Sequence, residues 1–200
     1  MRRAKIILEK IPKFLLSWFA LDIILMVIWI SGPDNNNKVV VASALTVGLL
    51  SFLFYEENRL FTGWLTHQDR LRKIKFFGLG LAGAVIVETI FWFWEKALGA
   101  SGVAASSNLL VDLAITLPVY FLVLLSFWFI QKYKNYSLGK VFVIGGVYEL
   151  LVDGVLGGFV QWSILLGLTY GLIGLPIFMV IYSLILLPPA IFLKKVSSRD

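Results

Sequence analysis

The chain has 200 residues, of which 59% are hydrophobic and only 15% are charged. An ordinary soluble domain carries roughly a quarter charged residues, so a soluble fold cannot bury this much apolar surface. The net charge of +6 arises from 18 Lys and Arg residues placed at the ends of apolar runs, a pattern typical of membrane topology and not of nucleic-acid binding. We therefore expect an all-α integral membrane protein whose single helical domain covers residues 1–200.

Six apolar stretches are long enough to cross the roughly 30 Å hydrocarbon core, which needs about 17 to 25 residues of helix. In chain order they are residues 14–30, 39–55, 76–95, 108–131, 141–160 and 170–193. Polar residues and glycines interrupt residues 158–173, which leaves open a loop, a re-entrant segment or a short extra helix there. The sequence therefore predicts a bundle of about six transmembrane helices.

The positions of the basic residues predict the orientation of this bundle. Five Lys or Arg residues precede the first span, five lie in the second connection, and three lie in each of the fourth connection and the C-terminal segment. Only Lys38 and Lys96 lie in the other connections. Because cytoplasmic loops collect Lys and Arg, this positive-inside pattern predicts a multi-pass protein of the cell membrane with a cytoplasmic N-terminus and C-terminus.

Acidic residues inside the predicted spans are the main functional signal. They are Asp22, Glu88, Asp112, Glu149 and Asp153. A charged residue at the centre of a membrane helix costs roughly 2.5 to 3.5 kcal/mol on insertion scales, so these side chains are expected to face the bundle interior. No Lys or Arg lies within a predicted span to neutralise them. The acids are therefore expected to take up protons or to share a bound cation.

Helical spacing places further polar residues beside these acids, because residues four apart share one face of a helix. In the fourth span Asn108, Asp112, Thr116 and Tyr120 form a polar stripe, and in the fifth span Glu149 and Asp153 lie one turn apart. Small residues precede the acid of the third span and favour close helix packing. The predicted substrate- or ion-binding residues are Glu88, Asp112, Glu149, Asp153, Asp22, Asn108 and Thr116.

Two short strings resemble one another. Leu-Leu-Val separates Asn108 from Asp112, and the same three residues separate Glu149 from Asp153. On the predicted topology the two strings run in opposite directions, which fits the inverted repeats of secondary transporters. A match of this length in a chain rich in Leu and Val also arises by chance, so both interpretations stay open.

Three functions fit these features. The leading hypothesis is that the protein binds and moves a small solute or cation through an acidic site between the third, fourth and fifth spans, with protonation as the coupling step. The first alternative is a lipid-phase enzyme that uses buried carboxylates as general acid and base on an isoprenoid or lipid substrate. The second is a non-catalytic membrane subunit whose acids are protonated packing groups.

Expectations about cofactors and partners follow from composition. The chain has no Cys, which excludes disulfides, thiolate metal sites and cysteine catalysis, and its single His67 lies in a basic connection. We expect no cofactor, no metal centre and no nucleic-acid partner. The expected partners are the lipid bilayer and a small solute, cation or lipid. Association with a second copy or with a partner subunit stays open.

Overall fold

The computed structural model describes residues 13–56, 71–152, 172 and 174–197, with side chains between residues 21 and 194 of these ranges. Every regular element in the described ranges is helical, so the prediction of an all-helical chain is confirmed there. The helices are α1 (Lys13–Ser31), α2 (Asn35–Glu56), α3 (Arg72–Ala97), α4 (Leu109–Lys134), α5 (Leu138–Glu149) and α6 (Leu175–Ser197). Asp153 and nearly all of residues 158–173 lie outside the described residues.

Four described helices are long and apolar enough to cross a membrane. They are α2, α3, α4 and the Leu175–Lys194 part of α6. The Leu21–Ser31 part of α1 is apolar but shorter. The 12 residues of α5 extend about 18 Å at 1.5 Å per residue, and a wider helical turn continues them to residue 152. The length and composition of these helices are those expected of a membrane bundle.

Local sequence signals explain where α4 begins and ends. The Asn108 side chain accepts hydrogen bonds from the backbone N–H groups of Leu110 at 2.9 Å and Val111 at 3.4 Å, which caps the first turn. At the other end Asn135 adopts a left-handed conformation with φ of 43°, a conformation that stops a helix. These two asparagines set the bounds of α4 and hence the position of its polar residues along the bundle.

Helix α6 lies at the centre of the bundle. It packs against α5, α3 and α2, and most of its side chains from Leu175 onward are buried. Glycines on the neighbouring helices allow this close approach. A Cβ atom on Gly83 would overlap the backbone carbonyl of Leu184, and a Cβ atom on Gly145 would lie 2.9 Å from the Cβ of Tyr182. Small residues thus bring α3 and α5 against the backbone of α6.

Aromatic side chains join α3 to α4. The Phe76 ring stacks on the Phe127 ring with a centroid distance of 5.9 Å and meets the edge of Trp128 at 4.9 Å. A Cβ atom on Gly80, one turn further along α3, would collide with the Leu124 side chain. Pairs of this kind add about 0.5 to 1.5 kcal/mol beyond their buried area. These contacts pack the N-terminal half of α3 against the C-terminal half of α4.

Candidate functional site

A cavity of about 320 Å³ lies between α3, α4, α5 and α6. Both Glu88 of α3 and Glu149 of α5 line it, together with Thr116 of α4. Three of the predicted site residues therefore meet in one cavity. The remaining lining residues are Gly102, Val103, Ala104, Ala105, Ile115, Val119, Tyr120, Val152 and Tyr182. Among these described lining residues none carries a positive charge.

Two tyrosines complete the polar wall of this cavity. The Tyr120 hydroxyl donates a hydrogen bond to a carboxylate oxygen of Glu88, which links α4 to α3. The rings of Tyr120 and Tyr182 lie 5.8 Å apart between centroids, with an angle of 49° between their planes. Tyrosine ring faces attract cations, and carboxylates accept hydrogen bonds from donors. The wall is therefore suited to a ligand that carries positive charge or several N–H or O–H groups.

Glu149 reaches the cavity because of how α5 packs. It lies one turn after Gly145, where α5 approaches Tyr182 so closely that a Cβ atom would lie 2.9 Å from the Tyr182 Cβ. The preceding residue, Tyr148, has its hydroxyl 2.6 Å from the Ser126 hydroxyl of α4, which fixes the rotation of α5 against α4. Glu88 and Glu149 are 8% and 7% exposed. Two buried carboxylates from separate helices thus line one cavity.

The connection between α3 and α4, residues 98–108, covers one end of this cavity and is here named the cap segment. Its residues Gly102 to Ala105 line the cavity. A carboxylate oxygen of Glu95 accepts hydrogen bonds from the backbone N–H groups of Val103 at 3.0 Å and Ala104 at 2.7 Å. Hydrogen bonds to an ionised acceptor are about twice as strong as neutral ones. Glu95 therefore fastens the cap segment to the end of α3.

Helix α2 holds the cap segment from the other side. The Asn35 side-chain amide donates to the Leu98 carbonyl at 2.9 Å, and the Asn36 side-chain oxygen accepts from the Ser101 N–H at 3.2 Å. Gly102 has φ of 83°, a left-handed value that glycine adopts without strain. The cap segment is therefore an ordered cover that depends on side chains of two helices.

Asp112 is buried at the start of α4 but does not line the cavity. One of its carboxylate oxygens accepts from the Ser106 N–H at 3.2 Å, and the other has no hydrogen-bond partner. A negative charge in the first turn is also favourable for the helix dipole. The predicted stripe on α4 thus divides into three roles. Asn108 caps the helix, Asp112 holds the cap segment, and both Thr116 and Tyr120 line the cavity.

Asp22 is also buried but lies apart from the cavity. It belongs to α1, does not line the cavity, and neither of its carboxylate oxygens has a hydrogen-bond partner. Asp153 lies outside the described residues. The structure therefore brings Glu88, Glu149 and Thr116 together and assigns Asp112, Asn108 and Asp22 to other places.

Glu95 is a buried residue whose role the sequence analysis missed. It stands at the end of a predicted span and beside Lys96, where charged residues ordinarily face the headgroups or water. The signal that distinguishes it is the connection that follows, because a short segment rich in Gly, Ala and Ser contains backbone N–H groups that need acceptors. A glutamate in the last turn of the preceding helix can satisfy them.

Comparison with protein-family models gives no match. Comparisons with curated proteins and with solved structures likewise give no match. The function is therefore argued from the chemistry of the cavity.

Proposed function

We propose that the protein is a multi-pass membrane protein that binds a small solute or cation in the cavity between α3, α4, α5 and α6 and moves it across the bilayer. The observation that carries this proposal is the placement of Glu88 and Glu149, from separate helices, in one cavity with two tyrosines and no described Lys or Arg. Carboxylates that line a cavity are complemented by a positively charged or proton-donating ligand.

The depth of the cavity supports movement and not only surface binding. Glu88 lies nine residues before the end of α3, which corresponds to about 13 Å along the helix at 1.5 Å per residue. With about six crossings and both termini in the cytoplasm, this depth lies well inside the hydrocarbon core. Protonation of Glu88 or Glu149 would then change the charge of the site and couple ligand release to a proton gradient.

The alternative function is a lipid-phase enzyme, and one observation favours it. Ile115 lines the cavity and is also 52% exposed on the outer face of α4, so the cavity opens beside the surface of that helix. Such an opening would admit a lipid or isoprenoid chain from the bilayer. Glu88 and Glu149 would then act as general acid and base, since one cavity holds two carboxylates in different surroundings.

The test is flux into liposomes that contain the purified protein. A panel of small amines and quaternary ammonium ions is offered with and without an imposed pH gradient. Glu88→Gln and Glu149→Gln remove the ability to ionise, whereas Glu56→Gln changes an exposed glutamate at the end of α2 and serves as the matched control. We expect flux for the wild type and the control, and loss of flux for both cavity variants.

Two outcomes count against this proposal. Flux at the level of empty liposomes for every compound, with or without a gradient, contradicts transport of small cations. Lipid extracts of cells that express the wild type would gain or lose a lipid species if the protein is an enzyme. If cells that express Glu88→Gln do not show this change, the enzyme function is identified instead of transport.

A further inference from the structure

A second cavity, of about 130 Å³, lies at the opposite end of α3 from the cap segment. It is here named the basic cavity. Its lining residues are Arg72, Trp128, Gln131, Lys132, Asn135 and Leu193, none of which lines the cavity of the proposed function. Arg72 and Glu88 are 16 residues apart on α3, which corresponds to about 24 Å along the helix. The two cavities therefore lie at different depths of the bundle.

Two cationic side chains from separate helices line the basic cavity. Arg72 is the first residue of α3, and Lys132 lies in the last turn of α4. A sphere of 130 Å³ is about 6 Å across, so one phosphate-sized group fills the space between these side chains. None of the described lining residues is acidic. Because the two like charges repel one another, the cavity favours a ligand that carries negative charge.

The start of α3 adds positive charge at the same place. Arg72, Lys73 and Lys75 lie within its first four residues, and its first turn contains no acidic residue. The preceding residue, Leu71, provides no side-chain cap. The helix dipole makes the start of a helix positive, so acidic residues are stabilising there and cations are not. This choice of residues is unfavourable for α3 alone, and an anion bound at Arg72 relieves it.

The end of α4 fixes the wall that carries Lys132. Gln131 is 3% exposed, and its side-chain amide both donates to the Tyr136 carbonyl at 3.2 Å and accepts from the Tyr136 N–H at 3.1 Å. The Asn135 N–H donates to the Gln131 carbonyl at 3.0 Å, with Asn135 in the left-handed conformation. These bonds hold the chain just beyond Lys132. The basic cavity therefore has an ordered wall before any ligand binds.

The surroundings of the basic cavity favour a lipid over a free anion. Ile74 and Tyr133, close in sequence to the two cations, are 68% and 74% exposed on helices that are long and apolar enough to cross a membrane. The Lys132 ammonium lies 5.7 Å from the centroid of the Tyr133 ring. Tyrosines and basic residues are typical of the membrane interface, and basic pockets between membrane helices bind anionic headgroups. Acyl chains beside Ile74 would add apolar contact that inorganic phosphate lacks.

We propose that Arg72 and Lys132 bind the phosphate group of an anionic phospholipid in the basic cavity. The positive-inside pattern predicts that this end of the bundle faces the cytoplasm, so the lipid would come from the cytoplasmic leaflet. The Arg guanidinium donates two parallel N–H bonds to phosphate oxygens, and the Lys ammonium supplies a point charge. The bound lipid joins the start of α3 to the end of α4. This site does not depend on which ligand the acidic cavity binds.

The experiment measures thermal unfolding of the purified full chain in detergent at constant ionic strength. Phosphatidylglycerol, phosphatidylcholine or sodium phosphate is added to separate samples. A ligand that binds only the folded state stabilises it, so phosphatidylglycerol at about ten times its dissociation constant should raise Tm by about 3 °C or more. Phosphatidylcholine has no net charge and sodium phosphate has no acyl chains, so both should give smaller rises.

Native mass spectrometry of the retained lipid provides a second measurement and separates this site from general attraction to the headgroups. Arg72→Gln and Lys132→Gln should weaken phosphatidylglycerol binding by about tenfold or more, since each removes a charged hydrogen-bond donor. Lys73→Gln and Lys134→Gln are the matched controls and should keep it. They remove the same charge from exposed residues of the same helices that do not line the basic cavity. Lys132 is also exposed, so its replacement tests the site if Arg72→Gln fails to fold.

Three results would overturn the proposal. Equal losses for all four variants would show that binding follows the total charge and not the basic cavity. Equal Tm rises with phosphatidylglycerol and phosphatidylcholine would exclude recognition of an anionic lipid. An equal rise with sodium phosphate would exclude the lipid and assign the cavity to inorganic phosphate.

Discussion

Glu88 and Glu95 lie on the same helix, seven residues apart and both buried, yet their surroundings differ. Glu95 accepts hydrogen bonds from the N–H groups of Val103 and Ala104, which are part of the backbone of the cap segment. Glu88 lines a cavity and accepts from the side chain of Tyr120. The comparison teaches that burial of a carboxylate in a membrane bundle does not by itself identify a binding site, because backbone N–H groups also require buried acceptors.

The same contrast holds between Glu149 and Asp112. Glu149 lines the cavity from α5, whereas Asp112 accepts from the Ser106 N–H and lies outside the lining. Residues of the first kind are expected to govern the ligand, and residues of the second kind are expected to govern the stability of the cap segment. Three of the four predictions that follow test this division, and one tests the helix packing that positions the cavity.

Replacing Glu88 by Gln should reduce the flux or binding of a transported cation at least tenfold, whereas Glu95→Gln should change it less than twofold. Gln has no negative charge to attract a cation, but its carbonyl oxygen still accepts from Val103 and Ala104. Flux measured on liposomes with equal protein content compares the two variants. Equal losses for both variants would show that the division between cavity and cap acids is wrong.

Replacing Glu95 by Ala should lower the free energy of unfolding by about 2 to 3 kcal/mol, because two backbone N–H groups lose a charged acceptor. Amide hydrogen exchange at Val103 and Ala104 should also become faster. Lys96→Ala, which changes an exposed neighbour, is the control. Unchanged exchange at both amides in Glu95→Ala would contradict the fastening role of this carboxylate.

Gly83→Ala should destabilise the protein by about 1 to 3 kcal/mol, because the added methyl group meets the Leu184 backbone of α6, which cannot move aside as a side chain can. Gly78→Ala on the same helix is the matched control, since a Cβ atom there meets nothing within 4 Å. That change should stabilise α3 by about 0.5 to 1 kcal/mol. Thermal unfolding of the two variants side by side tests whether α3 approaches α6 as described.

Asn108→Ala should have the smallest effect, a loss of about 1 kcal/mol, because it removes the cap of α4 but leaves the cavity lining intact. Ser107→Ala, at the exposed preceding residue, should be close to neutral. Flux should stay within about twofold of the wild type in both variants, consistent with the small energy involved. A large loss of flux in Asn108→Ala would return this residue to the binding site, where the sequence analysis placed it.

The acids of the predicted spans show how far sequence reasoning reached. Burial of Asp22, Glu88, Asp112 and Glu149 was predictable, because an ionisable side chain facing lipid is costly wherever it occurs in the span. Their partition between the cavity, a contact with the cap segment and a position on α1 outside the cavity was not predictable. That partition depends on the path of the cap segment and on the rotation of each helix, which arise from contacts between residues distant in the chain.

The two Leu-Leu-Val strings illustrate the same limit. In one, Asn108 is extended and caps the helix that begins after it. In the other, Glu149 is the last residue of α5, and a wider turn follows it. Identical neighbours therefore do not specify whether a polar residue caps the start of a helix or lies within one, where the regular turns give way to a wider turn. Whether a polar residue caps a helix also depends on the residues that precede it in the chain.

The sequence by itself determined the helical class, the presence of helices apolar enough to cross a membrane, and the burial of Asp22, Glu88, Asp112 and Glu149. Only the tertiary structure decided that α6 lies at the centre and that Glu88 and Glu149 share a cavity. The physical reason is that lipid and protein interior are equally apolar, so hydropathy does not distinguish a central helix from a peripheral one. Close packing makes that distinction, through glycines such as Gly83 and Gly145 that admit the backbone of α6.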